Sequence, residues 1–141
     1  MTLRSFADVA VGDELPSKVV TLTRGNLVNY AGVSGDPNPI HWSDKVAELA
    51  GLRDVVGHGM LSMGIAAGFV TEWLGDPGAV TEYNVRFTSP VYVEAVKAAE
   101  IEFTGKIKSV DAESKTAVVA IVAKSDGRKI FGRATATVRL A

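Results

Sequence analysis

Sixteen residues, Gly59 to Leu74, restrict the possible folds of this chain more than any other stretch. They read Gly-Met-Leu-Ser-Met-Gly-Ile-Ala-Ala-Gly-Phe-Val-Thr-Glu-Trp-Leu. The stretch is apolar on nearly all sides until Thr71, the pattern of a helix buried in a protein interior. Its longest apolar run, Met60 to Val70, is too short to span a bilayer and stops near Glu72. Gly64, Ala66, Ala67 and Gly68 make sense as small residues if another backbone lies close to the helix. Met60 and Met63 read as core filling. Gly75-Asp76-Pro77-Gly78 ends the helix.

On the C-terminal side the period changes from helix to strand. Tyr83, Val85 and Phe87 alternate with Glu82, Asn84 and Arg86, and Ala99, Ile101 and Phe103 alternate with Glu100, Glu102 and Thr104. Alternation of this kind marks strands with one face inside. Gly105 reads as a bulge where the second strand bends. Asp111 to Lys115 is a turn, and Thr116 to Ala123 is a strand buried on both faces. Ser125-Asp126-Gly127-Arg128 carries the Asp-Gly pair favoured in type I′ hairpins. Lys129 to Leu140 is the last strand, with Ile130, Ala134, Ala136 and Val138 on one face.

On the N-terminal side, Phe6 to Asp13 is an opening turn and Lys18 to Leu22 a strand. Thr23 is a good N-cap for a helix over Arg24 to Ala31, with Leu27, Val28 and Ala31 on one face. Ser43 caps a short helix, Asp44 to Ala50, which stops at Gly51. Arg53 to Gly57 is a link with some strand character. The expectation is an α+β fold, one domain over residues 1–141, with an antiparallel sheet around one central buried helix. One sheet around one helix leaves open edges, so dimerisation is the natural remedy.

Composition excludes several functions. The formal net charge is −1, which lacks the electrostatic footprint of a nucleic-acid binder. There is no cysteine, so disulfides, thiolate catalysis and cysteine-held metals are out. The N-terminal stretch Met1 to Asp8 has no apolar core and carries an acid, unlike a secretory signal. A cytoplasmic protein without a membrane partner is expected.

One loop makes chemical sense only as a site. Asp36-Pro37-Asn38-Pro39-Ile40-His41 places a carboxylate, an amide and an imidazole within six residues. Pro37 and Pro39 fix their own φ and push Asp36 and Asn38 towards extended backbone. A stiff loop presenting an acid and a base suits proton transfer, where a misplacement of about 1 Å can cost roughly 10²-fold. Singly, Asp36 is an ordinary turn residue and His41 an ordinary structural histidine. Their conjunction with His58-Gly59-Met60, at the start of the apolar helix, favours chemistry.

Asp36-Pro37-Asn38-Pro39-Ile40-His41, followed by His58-Gly59-Met60, resembles the MaoC-like (R)-specific hydratase and dehydratase family, whose signature is Asp-x-Asn-Pro-x-His and then His-Gly-Met. Tyr30 to Asp36 and Gly75 to Phe87 look like the branch that includes the mycobacterial (3R)-hydroxyacyl-[acyl-carrier-protein] dehydratase subunits. The resemblance implies a hot-dog fold, no cofactor and a 3-hydroxyacyl thioester substrate. It implies that His41 exchanges the C2 proton and that Asp36 handles the C3 hydroxyl, or the reverse division. The backbone N–H of Gly59 is the candidate oxyanion donor, and Asn38 orients the loop or the His41 ring. His58 is assigned to structure, and a histidine pair spaced like His41 and His58 makes no familiar zinc pattern.

Two departures stand out. Ala67 stands near where some members carry a serine, and Tyr92-Val93-Glu94-Ala95 replaces the Gly-Asp that many have after the Pro-Val of the preceding strand. The carrier stays open between acyl carrier protein and coenzyme A. Lys106, Lys108, Arg128, Lys129 and Arg133 are candidates for a basic patch that an acidic carrier protein would favour. The partner is a second hot-dog subunit, either distinct or a copy of this chain. A non-catalytic tunnel-shaping subunit is the reading from another class, and it should have lost Asp36 or His41. A thioesterase is disfavoured because Glu72 lies at the far end of the helix.

Overall fold

The computed structural model describes residues 2–141; Met1 lies outside them. Strand β1 (Glu14–Leu22) begins four residues earlier than the β-rich residues indicated. It leads into α1 (Arg24–Ser34), where the Thr23 hydroxyl accepts from the Asn26 N–H and the Asn26 side chain returns a bond to the Thr23 N–H. These two bonds satisfy backbone donors that the first helical turn leaves free. Gly32 lies inside this helix, and Gly35 ends it in the left-handed region at φ 71°. Leu27 is buried, but Val28 is 57% exposed, so the expected apolar face is narrower than Leu27-Val28-Ala31.

Ser43 caps α2 (Asp44–Leu49), and a short strand β2 (Val55–Val56) precedes the long helix α3 (Gly59–Leu74). The bounds of α3 are those the apolar run set. The remaining strands are β3 (Val80–Phe87), β4 (Tyr92–Val93), β5 (Ala99–Asp111), β6 (Thr116–Ser125), β7 (Arg128–Lys129) and β8 (Phe131–Arg139). The main sheet is antiparallel in the order β1-β5-β6-β8-β3, with β7 paired to β6. β2 and β4 form a separate two-stranded ribbon. Asp126 and Gly127 both have positive φ, as the type I′ hairpin requires.

α3 contacts β1, β5, β6, β8 and β3, so the sheet wraps one side of it. Ala66, Phe69, Val70 and Leu74 are buried, and Phe69 stacks on Phe103 with ring centroids 5.9 Å apart. Leu15 pairs with Gly105, and β1 carries an extra residue just after that pair. The bulge therefore lies in β1, opposite Gly105. A Cβ at Gly105 would come 3.0 Å from Leu15 and 3.2 Å from Phe69, so glycine here admits close packing between sheet and helix.

Two expectations fail for one reason. Met60 is 60% exposed rather than core filling, and nothing approaches within 4 Å of where a Cβ would stand on Gly64 or Gly68. The face of α3 away from the sheet is open in the single chain. β6 is also less enclosed than expected, with fully buried residues alternating with half-buried ones. No helix is long and apolar enough to cross a membrane among the described residues.

Candidate active site

The loop after α1 is built from short-range hydrogen bonds. Asp36 Oδ1 accepts from the Asn38 N–H at 3.2 Å, and Asn38 Oδ1 accepts from the Ile40 N–H at 3.2 Å. Asn38 thereby caps a 3-10 turn, Pro39–His41, which the two prolines did not reveal. The Trp42 indole N–H donates to the Pro37 carbonyl at 3.0 Å and closes the loop on itself. The Asn38 side chain accepts from the Ile40 N–H within the loop and does not reach the His41 ring.

His41 is 8% exposed, and its Nδ1 lies 2.6 Å from the Val56 carbonyl oxygen. A carbonyl only accepts, so Nδ1 carries the hydrogen and neutral His41 has its free lone pair on Nε2. That nitrogen lies 3.9 Å from Asp36 Oδ2. The Asp36 side chain is about half exposed, so substrate or water can reach the space beside the pair. Val56 belongs to β2, which β4 holds through Val55–Val93 and Val56–Tyr92 pairing. The segment that departs from the family pattern thus steadies the strand whose carbonyl orients His41. Arg24 ties the same region together, donating to the Val93 carbonyl and pairing with Asp44 at 2.8 Å.

His58 lies beneath His41. The two rings stack with centroids 3.6 Å apart and an interplanar angle of 21°. His58 is 2% exposed, and its Nε2 lies 3.3 Å from the Asp36 carbonyl oxygen. Burial holds its pKa below the ordinary histidine value, against the opposing hydrogen bond to Asp36. Gly59 follows as the first residue of α3. The first helical amides to bond back are Leu61 and Ser62, both to the His58 carbonyl. The Gly59 N–H has no backbone partner among the described residues and stands at the positive end of the helix dipole.

A cavity of about 370 Å³ adjoins Gly59, lined by Gly57, Ser62, Phe87, Val91 and Phe131 among others. Asp36 and His41 do not line it; Gly59 is where the helix start and the cavity meet. A Cβ on Gly59 would come 3.2 Å from the Phe87 ring, so any side chain here needs that ring to give by a few tenths of an ångström. No local sequence pattern signals the Val56 carbonyl, the histidine stack or the Phe87 contact. Each pairs residues at least 15 positions apart, or depends on ring orientation.

Asp36, His41 and His58 could each offer one metal ligand, with the atoms within 4.8 Å of one another. The fit is poor. Each ring already has one nitrogen engaged by a carbonyl. The His58 nitrogen that faces Asp36 is the engaged one and its Nδ1 is buried, so His41 Nε2 and the Asp36 carboxylate are the open donors, where a structural zinc takes four and a catalytic one three.

The family model for the MaoC like domain matches residues 7–125. This chain belongs to the MaoC-like family. An (R)-specific enoyl-CoA hydratase from Rhodospirillum rubrum is 28% identical over 108 residues, covering 76% of this chain and 74% of that protein. The 3-hydroxyacyl-thioester dehydratase X of Mycobacterium tuberculosis is 39% identical over 80 residues, covering 57% of this chain and 28% of that protein. A solved MaoC-like dehydratase superposes with a TM-score of 0.97 at 57% identity, over 99% of this chain and 43% of the other. The chain therefore spans less than half the length of the last two. MaoC-like neighbours establish the α+β hot-dog fold, as the motifs implied. The HadBC (3R-hydroxyacyl-ACP dehydratase) complex of Mycobacterium tuberculosis matches with a TM-score of 0.71 at 17% identity, over 92% of this chain and 97% of that one. That likeness is one of fold alone.

Proposed function

We propose that this MaoC-like protein is a hydro-lyase that interconverts (3R)-3-hydroxyacyl and trans-2-enoyl thioesters. The observation that carries this reading is the approach of His41 Nε2 and Asp36 Oδ2 to 3.9 Å, one buried and one open to solvent, beside a helix whose first amide is free. In the hydration direction the Asp36 carboxylate takes a proton from water while the water oxygen bonds to C3. The π electrons move towards the thioester carbonyl, whose developing charge the Gly59 N–H receives. The His41 imidazolium then gives its Nε2 proton to C2, and the proton that Asp36 took from water passes to His41 Nε2 to reset the pair. Dehydration runs the same transfers in reverse, and the histidine and the acid can also exchange these duties.

The finer reading is a dehydratase that acts on acyl carrier protein in type II fatty-acid elongation, of the kind that builds mycolic acids. Its support is the likeness of Tyr30 to Asp36 and Gly75 to Phe87 to that branch of the family. The coenzyme A reading is supported by the Rhodospirillum rubrum relative, whose name specifies that carrier. A second hot-dog subunit, distinct or identical, would cover the open face of α3. The greater length of the solved relative is consistent with such a second unit. We place the protein in the cytoplasm.

The experiment follows loss of enoyl absorbance on hydration, with the same acyl group carried by coenzyme A or by acyl carrier protein. Asp36→Asn and His41→Gln should each reduce kcat by about 10²- to 10⁴-fold. Near wild-type rates in both variants would refute the pair. A higher kcat/KM on the protein carrier supports the finer reading, and the opposite preference supports the coenzyme A enzyme.

A further inference from the structure

His58 has three features that filling space does not require. Its ring lies within 21° of parallel to His41 at 3.6 Å, its Nε2 reaches the Asp36 carbonyl at 3.3 Å, and its Nδ1 is buried without a hydrogen-bond partner among the described residues. A leucine or phenylalanine would fill the volume without stranding a polar atom. A buried polar atom left unpaired in a native site calls for a functional explanation.

We propose that His58 is a positioning residue for the hydration and dehydration reaction, an imidazole that fixes the plane of the His41 ring and the main chain of Asp36 at once. The proposal rests on the catalytic reading of Asp36 and His41 given above. The Asp36 carbonyl can only accept, so His58 carries its hydrogen on Nε2. That one bond ties the residue before the long helix to the residue bearing the carboxylate, 22 positions away.

Neutrality follows from the surroundings. The titratable groups that face His58 are His41 on its stacked face, Tyr30 edge-on at 4.8 Å, and the Asp36 carboxylate, whose Oδ2 lies 4.0 Å from Nε2. A proton on His58 would set a second positive charge against the His41 imidazolium that catalysis requires. Burial opposes that proton, and the buried Nδ1 has nothing to share it with. The stack therefore offers two rings of which only His41 exchanges protons.

The test uses the full chain labelled with ¹⁵N-histidine. In the wild type, NMR should show His58 as the Nε2–H tautomer, taking up a proton only below the ordinary histidine value. His58→Gln keeps an N–H near Nε2 but removes the ring; His58→Phe keeps the stack but removes the donor. With KM within about twofold, His58→Phe should reduce kcat about 10- to 100-fold, and His58→Gln should reduce it less. In both variants the His41 ring ¹⁵N shifts and the pH profile of kcat should move from their wild-type form. A protonated His58 at pH 7, or its Nδ1–H tautomer, would overturn the proposal, and so would folded variants with wild-type kcat, an unmoved pH profile and unmoved His41 ring shifts. Should the wild type hydrate no thioester, the catalytic reading fails by itself, and the tautomer and the His41 ring shifts still report whether His58 positions His41.

Discussion

Phe103 in the middle of β5 and His58 at the foot of α3 are both almost wholly buried, yet their surroundings differ. Phe103 stacks on Phe69 in a core drawn from the main sheet, the β2–β4 ribbon and all three helices. His58 sits between a second imidazole, a tyrosine edge and a backbone carbonyl, with one nitrogen unsatisfied. The sheet is organised for burial, and the loop corner for the placement of a few polar atoms. Damage to the first should appear as lost stability, and damage to the second as lost turnover.

The largest stability effect should come from Phe103→Ala. Removing a fully buried aromatic ring costs about 3–5 kcal/mol. Chemical denaturation should show that loss, while kcat of the molecules that remain folded should change little. A matching fall in kcat would mean that the core and the corner are coupled. Gly59→Ala should do the reverse. Its new methyl meets the edge of the Phe87 ring at 3.2 Å, a neighbour half exposed and free to shift. Stability should change by less than about 1 kcal/mol. Turnover should fall about 10- to 100-fold, because the amide and the mouth of the cavity are displaced. A stopped assay beside a thermal melt separates the two outcomes.

A pair of caps sharpens the contrast. Thr23 and Asn38 each accept a backbone N–H with a side-chain oxygen, one at the start of α1 and one at the 3-10 turn before His41. Replacing either by alanine should cost about 1 kcal/mol. Asn38→Ala should also lower kcat, because its turn ends on His41, whereas Thr23→Ala should leave kcat within about twofold of wild type. Equal kinetic losses would remove the special standing of the Asn38 loop.

Much of this division is legible in the residues themselves. The apolar run from Gly59 to Leu74 and the left-handed Asp126-Gly127 hairpin follow from period and turn chemistry, which are local. Asp36, Asn38 and His41 are legible as a group because the loop that holds them is also local. The Val56 carbonyl and the His41–His58 stack were not legible, because nothing near either histidine in sequence specifies ring orientation. Met60 and Gly64 read as interior because hydropathy reports that a side chain avoids water, and does not distinguish cover by the same chain from cover by another.

Acid should separate the two regions by pH window. His58 has a folded pKa below its ordinary value near 6.5, so the unfolded chain binds the extra proton first. Its contribution is fully present above about pH 6.5 and is lost as pH falls from there through the folded value. Asp111, in the β5–β6 turn, accepts from the Ser114 and Glu113 N–H groups, which hold its carboxyl below the usual 3.8. Its contribution is present above that value and lost only as pH falls beneath it, and full exposure keeps it small. Denaturant midpoints at pH 7.5, 5.5 and 3.5 should therefore fall between the first two for the wild type but less for His58→Gln. Asp111→Asn should track the wild type down to about pH 4 and lose less below it. If His58→Gln lost as much stability between pH 7.5 and 5.5 as the wild type, the proton taken up on unfolding would have to belong elsewhere. The buried histidine would then not be what makes the corner acid-sensitive.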